Sequence, residues 1–132
     1  MVGLVKTHGV SAALNEARRL RGRGDPVGAQ RRLARAMRRF PASSHLRVMH
    51  ADVMAEMGAA APALVAYGAA REWIMGDARL RPQSRRYLLT YVAARRMRLA
   101  EELGLGQPWR ALDRAVGLVP APALYRRFFP AP

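Results

Sequence analysis

Stretches of alanine, leucine, arginine and methionine alternate along this chain with glycine or proline breaks. The four residues are strong helix formers, whereas glycine and proline interrupt helices. The punctuation therefore dictates a series of short helices. The first spans 11–21 and ends in Arg21-Gly22-Arg23-Gly24. Asp25-Pro26 opens the second over 26–39: the carboxylate can cap free amides, and proline suits a first turn where no donor is needed. That helix stops before Pro41, since a residue preceding proline avoids helical angles. Ser43 and Ser44 are candidate caps for a third helix, which ends at Gly58. A fourth runs over 62–75, with Gly76 as its stop. Ser84 opens a longer fifth helix to Leu103, closed by Gly104, and a sixth follows Gly106-Gln107-Pro108 to about Val119.

Apolar positions keep helical spacing within these segments. Leu33, Ala36, Met37 and Phe40 share one face, and so do Leu88, Val92, Leu99 and Leu103; no stretch alternates as a strand would. The expected fold is all-α, with about six helices and an irregular, proline-rich tail over 120–132. At 132 residues a single domain over 1–132 is expected. The chain has no cysteine, which excludes disulfides, Fe–S clusters and thiol nucleophiles. No apolar run approaches the roughly 20 residues of a membrane helix. Met1-Val2-Gly3-Leu4-Val5-Lys6 lacks a basic start followed by a long apolar stretch, so a cytoplasmic location is expected.

The helices fall into pairs. At an offset of 34 residues, Ala17 meets Ala51, Leu20 meets Met54, Gly24 meets Gly58, Ala29 meets Ala63, Leu33 meets Tyr67 and Ala36 meets Ala70. Small residues let two helices approach closely, large partners fill the space between them, and the glycine allows a tight turn. This pattern resembles the tetratricopeptide repeat (TPR), a 34-residue helix–turn–helix unit. The first unit covers 10–43 and closes on Pro41. The second covers 44–77 and has Met75 where the proline would stand. A degenerate third covers 84–119, where Gly106-Gln107-Pro108-Trp109-Arg110-Ala111 echoes Gly24-Asp25-Pro26-Val27-Gly28-Ala29.

The resemblance implies three antiparallel helix hairpins stacked in a short right-handed array. It also implies a concave, peptide-binding groove lined by the first helix of each unit. Carried over by position, the groove residues are Leu14, Asn15, Arg18 and Arg21 in the first unit, and His45, Val48, Met49, Asp52 and Glu56 in the second. The family's basic clamp for a C-terminal carboxylate is not reproduced, because the second unit supplies acids there.

The net charge of +14 is unevenly distributed. Residues 10–41 carry +7 and residues 79–98 another +7, while 42–78 carry −2. In the second helix Arg31, Arg35, Arg38 and Arg39 recur at three- and four-residue spacing and share a broad face. Arg85, Arg86, Arg95 and Arg96 form the corresponding set on the fifth. Such faces fit an acidic protein surface through bidentate arginine forks. Nucleic acid and anionic membrane surfaces compete for the same charge, and a merely solvated face is the bland reading.

Little points to catalysis. His45 and His50 are five residues apart, not the three or four that align two ligands on a helix, and no metal site or cofactor is expected. Asp52 and Glu56 read as a surface acidic patch, and Arg21-Gly22-Arg23-Gly24 lacks the context of a phosphate loop. Tyr87, Tyr91 and Trp73 read as packing residues. The segment 123–130, with Tyr125, Phe128 and Phe129, reads as a cap on the last helix pair or a docking tail. The functional expectation is a non-enzymatic adaptor or assembly subunit binding an acidic partner; the alternative is an RNA- or DNA-binding accessory protein acting by charge.

Overall fold

The computed structural model describes residues 2–105, with side chains described from Gly9 onward. The expected sixth helix, the rest of the third unit and the tail over 120–132 lie outside the described residues. Five helices make up the described chain: α1 (Val2–Gly22), α2 (Pro26–Arg39), α3 (Ser44–Glu56), α4 (Ala60–Gly76) and α5 (Pro82–Glu102). The described residues contain no strand.

The helix boundaries follow from local chemistry. Asp25 caps α2, its carboxylate accepting from the Gly28 amide at 2.9 Å, and Pro26 occupies the first turn. Ser43 caps α3 by accepting from the Leu46 amide at 3.3 Å. The fifth helix starts at Pro82, two residues before the expected Ser84, because proline again fits a first turn. The first helix starts at Val2 rather than near residue 11. Gly9 does not break it: a Cβ there would lie 2.5 Å from Cζ of Phe40, so the glycine makes room for that ring.

The odd-numbered helices end alike. The amides of Asp25, Ala59 and Leu105 reach back five residues to the carbonyls of Leu20, Met54 and Ala100, at 2.9, 3.0 and 2.8 Å. The amides of Gly24, Gly58 and Gly104 close the inner turn, each 3.0 Å from the carbonyl three residues back. This is the Schellman cap, which needs a left-handed residue; the three glycines have φ of 75°, 81° and 69°. The even-numbered helices end without it, at Phe40 and Asp77.

Each helix packs on the next, and α1 also reaches α3. Two apolar cores result. Ala13, Ala17, Leu33 and Leu46 belong to the one among α1, α2 and α3. Tyr67, Ile74, Leu88 and Val92 belong to the one among α3, α4 and α5. The third helix contributes to both, with Met49 and Val53 on one side and Val48 and Ala51 on the other. Residues matched at the 34-residue offset have matching environments. Ala17 and Ala51, Ala29 and Ala63, Leu33 and Tyr67, and Ala36 and Ala70 are all buried, and Leu20 and Met54 are both half-buried. None of the five helices is long and apolar enough to cross a membrane.

Candidate functional site: a groove between α1, α3 and α5

A cavity of about 250 Å³ opens where α1, α3 and α5 meet. Leu14, Arg18 and Arg21 line it from α1, and His45, Val48, Met49 and Asp52 from α3. Seven of the nine expected groove residues thus face one hollow. The other two lie beside it. Asn15 accepts from Nη1 of Arg18 at 3.0 Å, and Glu56 accepts from Nε of Arg21 at 2.7 Å. The far wall, from α5, is Tyr87, Leu88 and Tyr91. These three were not among the expected groove residues. The available signal was the run Tyr87-Leu88 with Tyr91 one turn on, which places two aromatics on the same flank of the helix.

Under this groove lies a polar network that includes Asp52, expected as a surface acid, and Tyr91, expected as a packing residue. Asp52 is not a surface acid: it is 5% exposed, turned into the packing between α3, α4 and α5. Its Oδ1 accepts from the Tyr67 hydroxyl and from the Tyr91 hydroxyl, the latter at 2.9 Å. Arg95 lies 3.8 Å from the same oxygen and donates to the Tyr67 hydroxyl at 3.3 Å. Burial raises the carboxyl pKa of Asp52, opposed by these hydroxyls and by Arg21 and Arg95. Burial, and next the charge of Asp52, push the Tyr91 hydroxyl up to about 12. Asp52 therefore fixes Tyr91, and Tyr91 stacks on Tyr87 with ring centroids 6.4 Å apart and planes 21° from parallel. Tyr87 is 69% exposed, a rim residue rather than the packing residue expected. Trp73 is also exposed; the Arg47 guanidinium lies 4.1 Å from its ring centroid.

The two arginine sets behave differently. On α2, Arg31, Arg35, Arg38 and Arg39 are all exposed, as a basic face requires. The set on α5 is not a patch. Arg96 is 1% exposed, because its position on the helix turns into the core beside Val92 and Leu99. Arg95 belongs to the Asp52 network. Arg85 is half-buried and donates to the carbonyls of Ile74 and Asp77 at the end of α4, each of which also accepts a backbone amide. Only Arg86 of the four is exposed.

A larger hollow, about 540 Å³, lies beside Trp73 where the connector after α4 meets the turn before α3. Two of its polar side chains, Asp77 and Arg79, are engaged in joining those segments. Ser44 donates to Asp77 at 3.3 Å and Arg79 reaches the Ala42 carbonyl at 3.5 Å. Size alone therefore does not make it the better site. Among the described residues no cluster of three or more His, Asp or Glu could hold a metal ion. His45 lines the groove and is exposed, whereas burial, and next the charge of Arg47, lower the pKa of His50. The chain matches no protein-family profile, and no curated protein and no solved structure shows significant similarity to it.

Proposed function

We propose that this protein is a TPR-like, non-enzymatic adaptor of the cytoplasm whose α1–α3–α5 groove binds a peptide segment of an acidic partner. The repeat reading is supported by the 34-residue match in residue type and burial. The Schellman caps on α1, α3 and α5, set against the different endings of α2 and α4, also favour a two-helix unit. On this reading α5 is the first helix of the third unit, and a right-handed stack follows.

The observation that carries the binding reading is convergence. Three helices distant in sequence bring an apolar floor, an aromatic wall and an arginine to one hollow. Leu14, Val48, Met49 and Leu88 offer the floor for one aliphatic side chain. Tyr87, braced through Tyr91 on Asp52, offers a rigid flank. Arg21 is held by Glu56, while Arg18 pairs with no carboxylate among the described residues. Arg18 is therefore the fork that meets the partner's acid. A pocket with an apolar bed and one placed charge is the usual architecture of selective recognition.

Selection of short random peptides on the full chain tests this. The enriched sequences should pair an aliphatic residue with an aspartate or glutamate. Arg18→Glu should weaken them by about tenfold or more, since a charge-assisted bond contributes about 1.5–3 kcal/mol. Enriched peptides without an acid, or equal binding to Arg18→Glu and Tyr87→Ala, would overturn the reading.

A further inference from the structure

We infer that the exposed face of α2 is a docking surface for the phosphate backbone of double-stranded DNA, separate from the groove. The helix Pro26–Arg39 contains no acidic residue. At 3.6 residues per turn, Arg38, Arg31, Arg35 and Arg39 fan in that order across about 100° of its circumference. All four are exposed. Arg32, on the edge of this fan, is instead held by Glu16 of α1, with Nε 2.7 Å from the carboxylate. The four outer arginines pair with no carboxylate among the described residues; Arg39 only overlies the Phe40 ring, 5.5 Å from its centroid.

The composition of the face selects among polyanions. A protein partner needs an apolar or aromatic centre to its interface, and a membrane surface needs an apolar face to insert. Around the four arginines the face offers only Val27 and Ala34. Single strands are held by stacking bases on aromatics, and among the described residues the exposed aromatics, Trp73 and Tyr87, lie on α4 and α5, away from this face. A surface of guanidinium alone fits a ligand that is itself a regular array of charge. Between the duplexes, B-form DNA is favoured by width. Arg31 and Arg38 are about 10 Å apart along the axis. Their side chains can reach the phosphate rows bordering a major groove about 12 Å wide. The A-form major groove is narrow, and its wide minor groove is recognised through 2′-hydroxyls as well as phosphates, to which a face of guanidinium alone is not adapted.

The test is a titration of the full-length protein against a labelled random-sequence duplex across a salt series. Four phosphate contacts give a log–log salt slope of about −3.6, so affinity falls about 150-fold between about 50 and 200 mM salt. Arg31→Gln with Arg35→Gln should halve the slope and reduce that fall to about 12-fold. A charge-matched control, Arg86→Gln with Arg98→Gln, removes two exposed arginines elsewhere and should leave the slope unchanged. Equal loss in the control pair, a slope shallower than about −1, or tighter binding to duplex RNA or to anionic-lipid vesicles would overturn the proposal. The groove variant Arg18→Glu with Tyr87→Ala should keep the duplex slope to within the single charge it reverses, so failure of one surface is distinguishable from failure of the other.

Discussion

Tyr67→Phe removes one hydroxyl and leaves the ring, so it tests the network beneath the groove with almost no change of volume. The Tyr67 side chain is fully buried, and its hydroxyl donates to Asp52 while accepting from Arg95. Without it Asp52 retains the Tyr91 hydroxyl at 2.9 Å and the more distant Arg95. A hydrogen bond to a charged group contributes about 1.5–3 kcal/mol, so a loss of about 2 kcal/mol is expected near neutral pH. The loss should depend on pH. Burial raises the pKa of Asp52 above its ordinary value of 3.8, so at pH 3.8 more than half of it is protonated in the folded state. A carboxyl raised on folding favours the fold below its unfolded pKa, and that contribution is lost as pH rises through the folded value. Removing a donor that opposes this rise makes the ionised form costlier still. The variant should therefore be hurt most where Asp52 is charged. At pH 3.8 the lost bond is largely to a neutral acid, about 1 kcal/mol. Urea unfolding of both proteins at the two pH values measures the difference. A loss below about 0.5 kcal/mol near neutrality, or an equal loss at both pH values, would refute the assigned network. Tyr91→Phe should cost less, because that residue is only half-buried.

Ala63→Leu forces a larger side chain into a fully buried contact and should cost about 1–3 kcal/mol in thermal or urea unfolding, whereas Ala34→Leu on the exposed face of α2 should change stability by less than about 0.5 kcal/mol. Asp25→Ala should cost about 1 kcal/mol through the lost cap. Gly28→Ala drives a Cβ into the Asp25 carboxylate and displaces it, so the double variant should be less destabilised than the sum of the singles. Gly24→Ala and Gly58→Ala meet open space but force a left-handed alanine, so each should lower stability by about 1 kcal/mol in the same assay.

The helical punctuation was readable because its causes are local. Asp25-Pro26 and Pro41 bracket α2 by constraints that act within a turn. The start of α1 was not readable: Gly9 looks like a breaker, and only Phe40, thirty-one residues later, explains it. The residues on the α1 and α3 sides of the groove are ones that the TPR resemblance implies by position; the spacing of the alanines alone does not give them. The α5 side is not legible from the Gly106-Gln107-Pro108 echo, because the cap matching those of α1 and α3 is at Gly104, two residues earlier. Charge counting failed at Arg96 and Arg95 for a different reason. A count treats every guanidinium as solvated, yet a long stem can follow the helix surface inward: Arg95 reaches the Tyr67 hydroxyl and Asp52 on other helices, and Arg96 is buried beside Val92 and Leu99. Asp52 and Glu56 illustrate the same point within one turn, the first buried and the second exposed and paired with Arg21.

The position of α3 in both apolar cores has a consequence for how the chain comes apart. A linear array of helices that touch mainly their neighbours can melt in pieces from its ends, with each interface acting as a separate link. Here α3 is the shared link: detaching it exposes both cores at once, whereas α2 and α4 each border only one. Opening events that release α1 with α2, or α5 alone, can thus leave the remaining core intact, but none can release α3 without unfolding the whole. Amide exchange should register this as a gradient, with Val48, Met49 and Val53 protected to the global limit and the outer turns of α1 and α5 exchanging through smaller openings. The groove, walled by the ends of that gradient and floored by its centre, would tighten the outer helices onto α3 when filled.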